Sequence, residues 1–217
     1  AVEADCATCH SPPGYQDFLG VDGSAVGTLD NTHAVSNGLT CVTCHNDAAT
    51  ALASVVFPSG VEVSNVGETG RCMVCHQGRA SGLRVETAIS DAGLAESLDT
   101  VSADLRFINI HYYAAAATLY GNVVNAGYQY AGQSYEGQNQ HVEGFESCTD
   151  CHDSHTLEIK VEQCSECHTD VDSAESLVDI RMSGSLVDYD WDGDTCEGIA
   201  EEIEGLQDML LVAMQSY

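Results

Sequence analysis

Cys6-Ala-Thr-Cys9-His10 opens a pattern that returns as Cys41-Val-Thr-Cys44-His45, Cys72-Met-Val-Cys75-His76, Cys148-Thr-Asp-Cys151-His152 and Cys164-Ser-Glu-Cys167-His168. The five copies use ten of the eleven cysteines and five of the nine histidines. A shuffled chain of this composition would hold about 0.02 copies. Chemistry gives the spacing a reason. Two cysteines one helical turn apart can each form a thioether to a haem vinyl group, and the following histidine can bind the iron. A zinc ribbon needs paired Cys-x-x-Cys units, a spacing only the Cys148 and Cys164 copies approach, and needs no histidine after every pair. A disulfide framework does not require the doublets. The pattern therefore predicts five covalently bound haem c groups. Cys6, Cys9, Cys41, Cys44, Cys72, Cys75, Cys148, Cys151, Cys164 and Cys167 would be the thioether anchors, and His10, His45, His76, His152 and His168 the proximal iron ligands.

The repeat resembles the multihaem c-type cytochromes, in register from Cys6 to His168. Three further features, Cys72-Met-Val-Cys75-His76-Gln77-Gly78-Arg79, Asn109-Ile110-His111-Tyr112-Tyr113 and the acidic run near Asp190, resemble the extracellular cytochromes of metal-respiring bacteria and archaea. Some of those polymerise into conducting filaments. The resemblance implies extracellular electron transfer through closely spaced haems, self-association into a filament, and donor or acceptor proteins or extracellular minerals as partners. A soluble periplasmic shuttle and a multihaem oxidoreductase working at one under-liganded haem are the alternatives. The pentahaem nitrite reductases resemble this chain in haem number only, since they carry a Cys-x-x-Cys-Lys motif that is absent here.

Each haem iron has a second axial position, whose occupant decides what the haem can do. Four histidines remain for it: His33, His111, His141 and His155. His33, His141 and His155 precede Cys41, Cys148 and Cys164 by eight, seven and nine residues, close enough to reach that haem or a neighbour. His155 also follows His152 by three residues, an arrangement frequent in the resembling family. Five bis-histidine haems need ten histidines and the chain has nine, a deficit that exchange between identical subunits cannot repair. Met182, just after the fifth motif, is the favoured substitute; Met209, Met214, Cys196, the N-terminal amine and water are the others.

Charge removes several functions. With 34 acidic and 6 basic side chains, the net charge of −28 repels phosphate backbones and anionic lipid surfaces. No apolar run approaches the ~20 residues of a membrane span. Ala1-Val-Glu-Ala-Asp has neither the basic nor the apolar region of a signal peptide, and the chain begins without Met. A processed, exported protein is the expectation, extracellular or on the cell surface. Leu, Ile, Val and Phe total only 47 of 217 residues, a thin supply for a core. At about 43 residues per motif, the porphyrins would fill the interior and the polypeptide would sheathe them. The predicted fold is mostly irregular, with short α-helices and little β, wrapped round a chain of haems.

The whole of 1–217 reads as one haem-cored unit: haem-dense over 1–81, haem-free over 82–147 but supplying distal histidines, and haem-dense again over 148–180. An acidic loop and C-terminal helix over 188–217 complete it. Val55 to Val63 predicts a hairpin about Pro58-Ser59-Gly60. Helical spacing of Leu105, Ile108, Tyr112, Ala115 and Leu119 predicts a helix from near Ser102 to Leu119, and residues 121–140 read as loop. Ile199, Ile203, Leu206, Leu210 and Met214 predict a second helix from about Thr195 to Gln215, started by an Asp194/Glu197 capping box and covering the haem core, with an exposed apolar face for a neighbouring subunit as the other reading. Ahead of it, Asp188, Asp190, Asp192 and Asp194 alternate like the first half of an EF-hand loop. The twelfth position is Ile199, so a Ca²⁺ site there would need Glu197 or Glu201 to close it. Cys196, the odd cysteine, reads as a small packing residue, with an intermolecular disulfide as the other reading.

Overall fold

The computed structural model describes residues 4–34, 38–95, 97 and 99–217. Helix takes 38% and strand 4%, so the backbone is mostly irregular with short helices and little strand, as expected. Two compact units divide the chain, 1–146 and 147–217, with the boundary where the motif-free segment meets the last two motifs.

The first unit contains α1 (Ala4–His10), α2 (Pro12–Phe18), α3 (Cys41–Cys44), α4 (Asp47–Thr50), β1 (Ser54–Val56), β2 (Glu62–Ser64), α5 (Thr69–His76), α6 (Gly82–Asp91) and α7 (Ala115–Tyr120). Ser11 stops α1 and starts α2: its hydroxyl accepts the Gly14 N–H at 3.3 Å, while Pro12 and Pro13 occupy first-turn positions that need no donor. Gly14 lets the two helices touch, since a β-carbon there would lie 2.5 Å from the Ala7 carbonyl oxygen. The hairpin forms as expected. Val55 pairs with Val63, Phe57 N–H donates to Val61 at 2.9 Å, and Gly60 turns the chain at φ +83°. Tyr15, Leu19, Phe57, Val66, Met73, Val74 and Val124 anchor one small core.

The expected helix over 102–119 is confined to Ala115–Tyr120. Upstream, His111 (φ +90°) and Tyr113 (φ +53°) adopt left-handed backbone conformations, which an α-helix excludes. Asn109 Oδ1 accepts the His111 N–H at 2.8 Å, closing an Asx turn, and Arg79 N–H donates to the Ile110 carbonyl at 2.9 Å. Tertiary anchoring overrides the periodicity. Residues 125–140 are irregular, as expected, after a 3₁₀ turn over Gly121–Val124.

The second unit holds α8 (Cys148–Cys151), α9 (Val161–Cys164), a 3₁₀ turn over Glu175–Asp179 and α10 (Ile199–Ser216). Helix α10 starts four residues later than expected. Asp194 is spent on the Cys196 N–H at 2.8 Å, so the cap moves to Gly198, whose N–H donates to Glu201 Oε2 at 3.2 Å. Its apolar stripe does not cover a core of side chains: Ile199, Ile203, Leu206, Leu210 and Met214 are all exposed. The inward face carries Glu202, fully buried, and Gly205, where a β-carbon would strike the Asp190 carboxylate. Cys196 is exposed as well, not packed.

Candidate functional site

The five motifs share one local geometry. In each, the first cysteine and the histidine are separated by a single helical turn. The His45, His152 and His168 N–H groups donate to the carbonyls of Cys41, Cys148 and Cys164 at 2.8, 2.9 and 2.9 Å. Motifs one and three lie inside α1 and α5, where the helix supplies the same turn. Residues within the repeat help to start it. Thr43 Oγ1 accepts the Thr40 N–H at 3.2 Å, and Asp150 Oδ2 accepts the Ser147 N–H at 2.7 Å. All eleven cysteines are unbridged.

Two of the motif histidines are held in the tautomer that a metal ligand needs. His76 Nδ1 lies 2.6 Å from the Tyr113 carbonyl oxygen and His152 Nδ1 lies 3.1 Å from that of Leu157. A ring N–H donated from Nδ1 leaves the Nε2 lone pair for a metal, the usual division of labour in metal-bound imidazole. Lys160 secures the segment behind His152, its N–H donating to Cys151 and its ammonium to Thr149, at 2.8 and 2.7 Å.

The distal candidates fall in different settings. His111 faces His10 with ring centroids 6.1 Å apart and planes at 86°. His111 Nδ1 is buried and has no hydrogen-bond partner, at a cost of about 1–3 kcal/mol for an imidazole nitrogen left dry. His33 Nε2 instead sits 2.6 Å from Asp17 Oδ2, and Asp17 is buried. His141 packs edge-on against Phe145 at 5.9 Å. His155 is exposed beside Asp153, which accepts its backbone N–H at 2.9 Å. Met182 is 74% exposed, and Met209 and Met214 are exposed on α10. The N-terminal amine lies outside the described residues.

One approach between motifs was not legible in the sequence. Cys9 Sγ lies 3.9 Å from the carbonyl oxygens of Val74 and Cys75, and Cys75 Sγ lies 3.9 Å from that of Thr8. A hydrogen bond between the two thiols pushes Cys75 well above the ordinary thiol range, with burial adding to it, and holds Cys9 below.

The acidic loop of the second unit is organised by its own carboxylates. Asp188 accepts the Trp191 and Gly193 N–H groups at 2.5 and 3.1 Å, Asp190 that of Asp192 at 3.2 Å, and Asp192 that of Asp194 at 2.7 Å. Glu202, which no periodic signal in the sequence separates from Glu201, is the hub. Its Oε1 takes Arg181 Nη1 at 2.6 Å, and its Oε2 takes the Tyr189 and Asp190 N–H groups at 2.6 and 3.2 Å. Asp188, Asp190 and Glu202 form one trio able to hold a cation, and Asp190, Asp192 and Glu197 another. Asp194 belongs to neither trio. Glu197 Oε1 is buried without a partner. Burial, with the neighbouring carboxylates, pushes Asp190 and Glu197 upward. Burial acts in the same sense on Glu202, yet the Arg181 and backbone hydrogen bonds hold it below the ordinary range. A third trio, Asp17, Asp22 and Asp30, lies in the first unit.

No described helix is long and apolar enough to cross a membrane. Comparison with protein-family models, with curated proteins and with solved structures finds no match to this chain.

Proposed function

We propose that the chain is a pentahaem c-type cytochrome that transfers electrons outside the cell. The observation that carries the reading is the fivefold recurrence of one geometry, two thiols a helical turn apart with an imidazole directly after them. Haem iron, when bound, supplies one-electron transfer, with a potential set by its axial ligands and their surroundings. The ten motif cysteines anchor the porphyrins, and the five motif histidines bind iron on one side. His33, His111, His141 and His155 take distal positions, with Met182 proposed for the fifth. The chain's own work is orientation and burial: the Tyr113 and Leu157 carbonyls fix the His76 and His152 rings. The thin core supports a wrapped-haem architecture, for Val171 is the one buried hydrophobic side chain in 147–217.

The acidic surface suits an exported protein at the cell surface or beyond it. Copies assemble end to end into a filament, exchanging electrons with donor and acceptor proteins or minerals, and Ca²⁺ at the Asp188–Glu197 loop offsets charge. The His33–Asp17 contact gives the enzyme reading its one specific support. While His33 holds Asp17, it reaches an iron only through Nδ1, and otherwise two irons per chain lack a distal histidine.

A pyridine haemochrome assay on protein matured in a haem-attaching host tests the core of the reading. Five c-type haems per chain are expected from the five motifs, and fewer than four would overturn it. Carbon monoxide binding to more than one reduced haem would move the assignment toward an enzyme.

A further inference from the structure

Five residues, Asn109 to Tyr113, touch two motifs that are far apart in sequence. His111 lies against His10 of the first motif, with ring centroids 6.1 Å apart and planes nearly perpendicular. Two imidazoles on opposite sides of one metal ion, each with a metal–nitrogen bond of about 2 Å, hold their centroids about 6.3 Å apart. The observed separation therefore accommodates an iron between the rings. An edge-to-face aromatic pair also falls within this distance. Two further facts favour a ligand. Nδ1 of His111 is buried without a partner, and the residue is held at φ +90°, a strained conformation for a non-glycine residue. Two residues on, the Tyr113 carbonyl accepts from His76 of the third motif at 2.6 Å.

The loop is seated firmly. Arg79 N–H donates to the Ile110 carbonyl at 2.9 Å, and Gly78, at φ +80°, leaves room for Ile110: a β-carbon there would lie 2.8 Å from Ile110 Cγ1 and 2.9 Å from its carbonyl oxygen. The first and third motifs also meet directly, through Cys9 Sγ at 3.9 Å from the Cys75 carbonyl and Cys75 Sγ at 3.9 Å from that of Thr8.

We infer that the Asn109–Tyr113 loop serves both motifs at once, His111 completing the axial pair with His10 while Tyr113 positions His76, so that motifs one and three form a directly coupled electron-exchange pair out of sequence order. This rests on the haem reading above. It places the second motif, Cys41 to His45, outside the closest pair of the first unit.

The test uses full-length, haem-loaded protein. His111→Ala should convert one haem of the five from low to high spin and open it to one carbon monoxide, with added imidazole restoring the low-spin state. His111→Met keeps a ligand in place; it should add one methionine charge-transfer band to that of the Met182-ligated haem and raise the potential of one further haem, which marks the first-motif haem by difference from the wild type. In that labelled background, removing the third attachment site with Cys72→Ala and Cys75→Ala should shift the labelled haem's midpoint potential more than Cys41→Ala with Cys44→Ala does. A chain without covalent haem would refute the proposed function itself. Five haems with no spin change in His111→Ala and no methionine band beyond the wild type's in His111→Met would overturn the His10–His111 pairing alone. A larger shift on removing the second motif than the third would overturn the coupling of motifs one and three.

Discussion

Gly14 shows how little freedom single positions have in a chain with so small a core. Its missing side chain lets α2 lie against Ala7, which is fully buried, and puts Tyr15 into the interior with its hydroxyl donating to the Arg71 carbonyl at 3.2 Å. Gly14→Ala would press a methyl group into backbone, which cannot move aside as a flexible side chain can. A loss of about 1–3 kcal/mol is expected from such overpacking, read as a lower midpoint in urea unfolding with an unchanged slope. His33 teaches a related point. Its spacing before Cys41 fits a haem ligand, and its contact in the fold is a buried carboxylate at 2.6 Å. Spacing says what a side chain can reach; packing decides what it touches.

At the level of elements, α10 and the acidic loop act as one device. Glu202 is drawn inward by Arg181 and two backbone N–H groups, and the apolar stripe is left outside. The signs of the pH dependence oppose one another within a few ångströms. Glu202 is held low, so its contribution to stability is complete above the ordinary carboxylate range and is lost as pH falls through its lowered value. Asp190 and Glu197 are pushed high. Folding favours their protonated forms, so their contribution is complete at low pH and is lost as pH rises through their raised values. Glu197→Gln should therefore raise the melting temperature at pH 7 in EDTA and leave it unchanged at acid pH, where Glu197 is already protonated. Added Ca²⁺ should stabilise the wild type more than Glu197→Gln. Calorimetry under these conditions checks both statements, and an equal Ca²⁺ response in the two proteins would remove Glu197 from the cation site.

For the whole molecule, charge is the dominant global term. A formal −28 is carried on 217 residues, and five haems, with two propionates each against one ferric charge, would add about −5. Self-repulsion of this size destabilises the compact state and opposes association, and salt relieves it as the screening length falls from about 10 Å at 0.1 M to about 3 Å at 1 M. The melting temperature should rise steadily between those concentrations, and end-to-end association should appear only at the salty end, as scattering or electron microscopy would record. A melting temperature independent of salt would mean that bound cations already offset the charge.

Sequence alone determined the repeated chemistry. The five motifs, the hairpin about Pro58-Ser59-Gly60, the C-terminal helix and the alternating aspartates are local patterns, and local backbone preferences are enough to write them. Tertiary structure decided which distant residues meet: His111 with His10, Tyr113 with His76, Cys9 with Cys75, His33 with Asp17 and Arg181 with Glu202. The same contacts delayed the start of the expected helix to Ala115 and turned the stripe of α10 outward. The physical reason is one of range. Helical turns and Asx turns are closed by residues two to four apart, whereas a buried carboxylate or an unpaired imidazole nitrogen is satisfied only by a partner that the rest of the fold delivers.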